Sequence, residues 1–341
     1  MLYIVGWIIM FLSTVSLLFG WLRTSKVIVC FAILYCAILA FFRDAIGTDT
    51  LTYQDIFYDI STGESAAFGE IGFYWLAKLL LLIFNEPYLA VNAVSIVLFL
   101  FLFLFVIFAD KNELFIFSSF ILPIVSYQYS MNALRVGVAF SFFLVLFQYA
   151  LHSNFDRKIK YGVLACVFHF SSAFYIVFLY VYNLKILTIK WLVKASLLML
   201  IFLGFVVFFR EYIMSKFLLY SDYDSPGGLS GLRIVIPTII VLLGVFLSRI
   251  YIYEKLKFFV FVFSLASVFF IIVQFSYSGL RLLDLLLMVT PMAILLAFKK
   301  ESKDLDINIK LSFVVAGLLF SIGTYLGFDQ HFIPYRSWLL L

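Results

Sequence analysis

Long apolar stretches separated by short polar segments make up almost the whole chain. Residues 98–103, for example, contain only Leu and Phe, and such runs lack a 3.6-residue period, which is typical of helices that are apolar on every side. A membrane-crossing helix needs about 20 apolar residues, so the pattern predicts an all-α polytopic membrane protein with about ten full transmembrane helices. These helices are predicted at 2–21, 27–42, 88–108, 114–130, 134–151, 195–209, 233–250, 258–275, 284–298 and 311–327.

Two apolar segments do not fit a simple crossing. Residues 71–84 are short and are interrupted by Lys78, which favours a helix lying at the outer interface. Residues 161–184 are long enough to cross once, yet they hold His169 and two serines in the middle. We interpret this second segment as a re-entrant helical hairpin that enters from the cytoplasm and returns.

The positions of lysine and arginine give the orientation, because cytoplasmic loops carry an excess of both. If the loop with Arg23 and Lys26 is cytoplasmic and 161–184 is a hairpin, most basic residues lie on the cytoplasmic side. A single crossing at 161–184 would instead place the three lysines of 185–194 outside. The hairpin is therefore favoured, and both termini are predicted to face outward.

Composition excludes a soluble protein. The chain is 65% hydrophobic and 13% charged, whereas soluble domains are about half apolar and about a quarter charged. We therefore expect one transmembrane domain over 1–341. The net charge of +5 does not indicate a nucleic-acid partner. The three cysteines lie in apolar runs, at spacings that match neither a metal site nor a disulfide framework.

The two faces differ in their basic residues. In this topology the cytoplasmic cations are mainly lysine, and the outer cations are mainly arginine. Arginine suits bidentate recognition of phosphate or carboxylate, whereas lysine is a simple point charge. The longest predicted outer loops, 43–87 and 210–232, are on the arginine-rich side. The polar chemistry is therefore predicted on the outer face.

The first polar cluster follows the second apolar run. It offers the cation of Arg43, the acceptor of Asp49 and the ring of Tyr53, with Gly47 permitting a tight turn or close approach to a ligand. The alternative is structural, because Asp49 or Thr50 could simply be the N-cap of a helix. Both interpretations stay open at this point.

A second cluster holds Asn132 and Arg135, at the outer end of the span predicted at 134–151. An arginine inside a membrane costs about 2.5–3.5 kcal/mol at mid-bilayer and less near an end. It could be a snorkelling interfacial side chain. However, a helix N-terminus disfavours a cation and favours an anion, so an arginine there is sensible if both bind the same phosphate.

His169 lies at the tip of the predicted hairpin. A lone histidine is often a hydrogen-bonded core residue, but imidazole is also the side chain that exchanges protons near neutrality. The other histidines, His152 and His331, fall in a predicted cytoplasmic loop and in the outer tail. A metal site is therefore not expected.

The remaining candidates lie near the outer ends of later spans. Arg281 precedes Asp284 by three residues, a spacing that also allows a local ion pair. Arg233 follows a glycine-rich segment, and Tyr335 and Arg336 follow the last span. No P-loop, HExxH or GxSxG motif occurs. The excess of arginine suits a lipid-linked polyanion such as a polyprenyl diphosphate.

The order of these motifs resembles the EpsG/Wzy-type bacterial polysaccharide polymerases. The resemblance rests on GTDTLTY after the second span, IGFYWLAKLL, NALRVGVA, FHFSSA after a basic loop, GLRLLD and the terminal IPYR. It implies an integral-membrane, GT-C-like glycosyltransferase of the bacterial inner membrane that works on the periplasmic face without a metal or another cofactor. A chain-length-determining co-polymerase is the expected partner.

The resemblance also implies a reaction. The growing O-antigen, capsule or exopolysaccharide would pass from undecaprenyl diphosphate to the non-reducing end of the next lipid-linked repeat unit, with inversion. The diphosphate would be bound by Arg135, Arg281, Arg43 and Arg336. His169 or Asp49 would be the catalytic base. Other substrate contacts would come from Tyr53, Asn132, Arg233 and Tyr335.

Three other functions compete with the polymerase. An O-antigen ligase would use the same donor, but outer loops of this length are modest for a ligase. A flippase or transporter of lipid-linked glycans should have a polar path to both faces, whereas polarity here is one-sided. A membrane acyltransferase is disfavoured by the excess of arginine.

Overall fold

A computed structural model describes residues 1–63, 70–183, 231–328, 332 and 334–338. Within these ranges nearly all regular structure is helical, and one isolated antiparallel bridge joins Arg43 to Ser337. We number the helices of the described residues α1 to α13. They are α1 (Leu2–Leu18), α2 (Leu22–Phe41), α3 (Thr50–Thr62), α4 (Ile71–Phe84), α5 (Pro87–Phe108), α6 (Lys111–Met131), α7 (Leu134–His152), α8 (Phe155–Lys158), a 3₁₀ helix (Ile159–Val167), α9 (Ser172–Asn183), α10 (Leu232–Leu247), α11 (Ile252–Val273), α12 (Tyr277–Lys300) and α13 (Ile307–Leu326).

Seven of the described helices are long and apolar enough to cross a membrane, namely α2, α5, α6, α7, α11, α12 and α13. The chain is therefore a multi-pass membrane protein. The spans predicted at 2–21 and 233–250 correspond to the shorter helices α1 and α10, of 17 and 16 residues. The span predicted at 195–209 lies outside the described residues. A total of about ten crossing helices thus stays a prediction.

Helix α6 is the centre of the bundle. In its most apolar window 94% of the residues are buried, against 33% in α11. It begins with a capping box, in which the Asp110 carboxylate accepts from the Glu113 amide and Glu113 accepts from the Asp110 amide. A π-turn at Phe117–Ile121 interrupts the helix. There Gly317 of α13 lies so close that an added Cβ would sit 1.9 Å from the Ser119 carbonyl oxygen.

The hairpin predicted at 161–184 has two arms in the structure. The 3₁₀ helix forms the first arm and α9 the second, and the two pack against each other. At about 2.0 and 1.5 Å per residue, arms of nine and 12 residues are each about 18 Å long. That length is roughly half of a membrane-spanning distance with its headgroup regions. The chain turns back at His169, and the first arm also packs on α7.

The predicted outer loop 43–87 is largely helical. Helix α3 occupies its first half, and α4 has the bounds that the apolar pattern predicted at 71–84. Helix α4 keeps apolar side chains exposed, including Leu79, Leu82 and Ile83. Of the other predicted loop, 210–232, the structure describes only the last two residues.

Candidate active site

The segment between α2 and α3 is folded tightly against the end of α6. Gly47 has a positive φ of 99°, and a Cβ there would lie 2.5 Å from the Met131 carbonyl oxygen. A side chain would thus be both strained and blocked, so glycine is required here. The Thr50 hydroxyl donates to the carbonyls of Ile46 and Met131. These contacts fix the position of Asp49, the residue directly before α3.

A break between α6 and α7 holds Asp49 from the other side. Asn132 leaves the helical conformation, with φ −121° and ψ −72°, and its side chain turns to the preceding loop. Its Oδ1 accepts from the Thr48 hydroxyl at 2.8 Å and from the Asp49 amide at 2.9 Å. Asn132 is buried. The Asn132 side chain therefore holds Asp49 beside the start of α7, where Arg135 lies.

Loss of the hydrogen bonds to Asn132 gives a first prediction. We expect Asn132→Ala to lower the activity of the site roughly ten- to a hundredfold, because the Thr48 hydroxyl and the Asp49 amide lose their acceptor, at about 0.5–1.5 kcal/mol for each bond, and Asp49 is released. Thr48→Val removes only one of the two bonds and should have a smaller effect. Activity per folded protein is the measurement. Equal activity in Asn132→Ala and wild type would show that the function of Asp49 does not depend on this contact.

Several residues with predicted chemical roles lie around one cavity. Its volume is about 210 Å³, and it is enclosed by side chains from α3, α6, α7, the hairpin tip and α12. Its lining residues are Asp49, Tyr53, Tyr129, Ala133, Arg135, Val136, His169, Ser171, Arg281, Asp284 and Leu285. Five of the residues proposed from sequence are among them: Asp49, Tyr53, Arg135, His169 and Arg281.

Glu70 connects two of the cavity residues and was not singled out from the sequence. It is the residue before α4, and only 3% of it is exposed. Its Oε2 accepts from Arg135 Nη1 at 3.0 Å, and its Oε1 is hydrogen-bonded to His169 Nδ1. A lone carboxylate directly before an apolar run was the signal that could have drawn attention to it. Glu70 is thus an anionic partner of Arg135, whereas the anion predicted from sequence for Arg135 and the N-terminus of α7 was a phosphate.

The environment of Glu70 keeps it ionised. Burial acts to raise the pKa of this carboxyl, but its contacts with His169 and Arg135 outweigh burial. The net effect is a pKa below the ordinary value of 4.5. At neutral pH Glu70 is therefore an acceptor for both partners.

Two further contacts shape the cavity. The Arg135 guanidinium carbon lies 5.8 Å from the centre of the Tyr53 ring, within cation–π range. The hydroxyl of Ser171 is buried and has no hydrogen-bond partner among the described residues. A buried hydroxyl beside a cavity is a ready contact for a polar ligand. Asp49, although it is the N-cap residue of α3, makes no side-chain capping bond, so its carboxylate is not used for capping.

Arg43 lies elsewhere, fully buried under the C-terminal segment. Its Nη1 donates to the carbonyls of Ala40 at 3.2 Å and Ser130 at 2.6 Å. Its own carbonyl accepts from Tyr88 and Asn92. It does not line the cavity described above. Diphosphate binding by Arg43 stays a prediction, and this position does not favour it.

The other sequence candidates also lie outside the cavity lining. Arg336 is exposed, and its carbonyl accepts from the Asp44 amide. The hydroxyl of Tyr335 donates to the Leu39 carbonyl at 2.8 Å. Arg233 is exposed, and its guanidinium carbon is 5.7 Å from the Phe320 ring. Their predicted roles toward the substrate stay predictions.

One carboxylate and histidine group elsewhere in the described residues has ligand atoms close enough to share a metal ion. It comprises Asp110, Glu113 and His152. These residues lie at the opposite ends of α6 and α7 from Arg135, about 30 Å away along the helices. Glu113 is already hydrogen-bonded to Gln148 and His152. The group therefore belongs to the far end of the bundle and not to the cavity.

The family model described as the EpsG family matches residues 26–337. The chain belongs to the EpsG family. The match covers nearly its whole length, as the order of the sequence motifs predicted. No curated protein matches the chain, and no solved structure matches it.

Membership gives a general function. The EpsG family is one of polymerase-type proteins of polysaccharide biosynthesis, so this EpsG-family chain is a membrane-embedded transferase in that broad sense. The prediction of the family from its motifs is thereby confirmed. The donor, the acceptor and the roles of individual residues are not part of this identification.

Proposed function

We propose that this EpsG-family chain is a polysaccharide polymerase that transfers the growing glycan from undecaprenyl diphosphate to the non-reducing end of the next lipid-linked repeat unit. The observation that carries the proposal is the shared cavity. Two arginines, Arg135 and Arg281, meet His169 and Asp49 there, within a bundle of apolar helices. A site for a lipid-linked sugar diphosphate needs cations for the phosphates and a proton acceptor for the incoming hydroxyl.

The arginines would act on the leaving group. When the bond between the anomeric carbon and the diphosphate oxygen breaks, negative charge develops on that oxygen and needs stabilisation. Arg135 and Arg281 approach the cavity from different helices, α7 and α12. Guanidinium groups bind phosphate oxygens bidentately, so two of them can clamp a diphosphate. We propose that they do so without a divalent metal.

The second half of the reaction is proton removal from the acceptor. The acceptor hydroxyl oxygen attacks the anomeric carbon as its proton passes to His169 or Asp49. The electron pair of the broken bond leaves with undecaprenyl diphosphate. A single displacement of this kind inverts the anomeric centre. Tyr53, beside Arg135, offers a ring against which a sugar can stack.

The topology belongs to the same proposal. About ten crossing helices in a GT-C-like arrangement would place the cavity at the periplasmic face of the inner membrane, with both termini outside. The excess of lysine and arginine in the predicted cytoplasmic loops supports this orientation. A chain-length-determining co-polymerase would act with the enzyme on the same face.

The test is a reconstituted reaction. Purified protein in liposomes, given a defined undecaprenyl-diphosphate-linked repeat unit, should form a ladder of polymer with release of undecaprenyl diphosphate, and chelator should leave the rate unchanged. Arg135→Ala protein is the matched control and should form none. Transfer only to an added lipid A core would instead indicate a ligase. Movement of intact units across the bilayer without chain growth would indicate a flippase.

A further inference from the structure

Glu70 is the least exposed acidic group in contact with residues of the candidate site, and both of its oxygens are used. Oε1 contacts His169 from the hairpin tip, and Oε2 pairs with Arg135 from α7. The carboxylate comes from a third element, the start of α4. Three separate elements thus meet at one buried carboxylate. Burying a carboxylate charge costs free energy unless the charge is paired, so the buried position of Glu70 requires an explanation.

The contact between Glu70 and His169 shows which ring nitrogen of His169 carries the hydrogen. An ionised carboxylate only accepts, so the hydrogen shared between Glu70 Oε1 and His169 Nδ1 comes from Nδ1. A neutral imidazole carries one hydrogen, so Nε2 is then the free lone pair. The ring lines the cavity. The arrangement is that of a histidine base whose tautomer and orientation are set by a carboxylate.

We propose that Glu70 is a positioning residue that makes His169 the base of the reaction and ties it to the phosphate-binding Arg135. This inference rests on the proposed function. The acceptor proton passes to His169 Nε2, the imidazolium formed is stabilised by Glu70, and the proton then leaves to solvent. Asp49 is left to bind acceptor hydroxyls, with its carboxylate beside the Thr48 hydroxyl at 3.3 Å.

The shared carboxylate also links the two halves of the reaction. Arg135 pairs with Glu70 through Nη1, while 30% of its side chain is exposed. Its guanidinium can therefore interact with both Glu70 and a ligand in the cavity. A diphosphate that binds Arg135 competes with Glu70 for the guanidinium, so the ion pair between Arg135 and Glu70 weakens. Glu70 then interacts more strongly with His169. Donor binding would in this way favour proton uptake by His169.

Other charged or titratable side chains surround His169 and enter any pH profile. Besides Glu70, those lining the same cavity are Asp49, Tyr53, Tyr129, Arg135, Arg281 and Asp284. None of these is altered in a comparison of Glu70 variants. A change in the profile between wild type and Glu70→Gln therefore reports on the Glu70 carboxylate and its pairing with Arg135.

The experiment compares Glu70→Gln, Glu70→Asp, His169→Gln and the double variant Glu70→Gln/His169→Gln in the reconstituted assay. Loss of a general base or of its orienting group lowers kcat by roughly 10²–10⁴-fold, and we expect both single changes to fall in this range. The double variant should be no slower than His169→Gln. In Glu70→Gln, the acid side of the kcat profile should move to lower pH, because the imidazolium loses its stabilising carboxylate.

The controls keep the outcomes separate. Rates are expressed per folded protein eluting at the wild-type position in size-exclusion chromatography. Glu70→Asp keeps the charge, so its acid limb should stay in place even if kcat falls. A fully active His169→Gln would refute His169 as base. An inactive His169→Gln with a wild-type Glu70→Gln profile would refute the role of Glu70 alone, and multiplicative effects in the double variant would do the same. If the wild-type protein forms no polymer in the same assay, the proposed function itself fails.

Discussion

Arg135→Ala is expected to abolish polymer while leaving the protein folded in the membrane. Removing one preorganised donor that stabilises developing negative charge costs about 10²–10³ in kcat, and Arg135 lines the cavity together with Tyr53 and His169. Arg281→Ala should have a similar effect, because it removes the second cation from the same cavity. Polymer length on gels, together with the amount of membrane protein, is the measurement.

Two matched variants sharpen this result. Arg135→Lys keeps the positive charge but loses the planar fork of donors, so it should keep a small fraction of the activity. Arg157→Ala removes an exposed arginine near the base of the hairpin and should make normal polymer. Normal polymer in both Arg135→Ala and Arg281→Ala would overturn the assignment of the phosphate site.

Arg43→Ala is expected to act differently, by reducing the amount of folded protein. Arg43 is fully buried, and its hydrogen bonds join the end of α2 to Ser130 near the end of α6. Emptying a large buried site typically costs about 2–5 kcal/mol. The melting temperature of the detergent-solubilised protein should therefore fall, and polymer should decline in proportion to folded protein.

The charge of Arg43 is only partly compensated by its surroundings. Its Nε and Nη2 find no hydrogen-bond partner among the described residues. Burial lowers its pKa to about 10, against the opposing effect of neighbouring tyrosines such as Tyr88 and Tyr335. At neutral pH the group is still charged. Arg43→Met, which fills most of the volume without charge, should be more stable than Arg43→Ala.

The outcome separates two roles for Arg43. Structural support predicts that activity per folded molecule is near normal in Arg43→Met. Diphosphate binding, the role suggested by the sequence, predicts a folded but inactive protein, as for Arg135→Ala. The two arginines thus provide controls for each other.

The sequence predicted most of the helices, because the signal for a transmembrane helix is local. Runs at 88–108 and 134–151 became α5 and α7 with nearly the same bounds. The polar residues inside the segment 161–184 correctly indicated a chain reversal near His169. Helix length was less predictable. Residues 19–21, although in the first apolar run, lie beyond the end of α1.

The candidate site was predicted in part. Asp49, Arg135, His169 and Arg281 drew attention as polar residues in apolar surroundings, and the structure places all four around one cavity. Glu70 gave only a weak signal, a carboxylate directly before an apolar run. Its partners are 65 and 99 residues away in the chain, and no local pattern reports such a distance.

The sequence by itself determined that this is a helical membrane protein of the EpsG family, and it predicted arginine-rich chemistry on one side. Length, hydrophobicity and motif order are properties of the chain and need no packing to be visible. The tertiary structure alone decided which arginines face the cavity and which, like Arg43, are enclosed by the fold. It also decided that Glu70 joins His169 to Arg135. Such choices depend on how helices pack, because burial and pairing arise between distant segments.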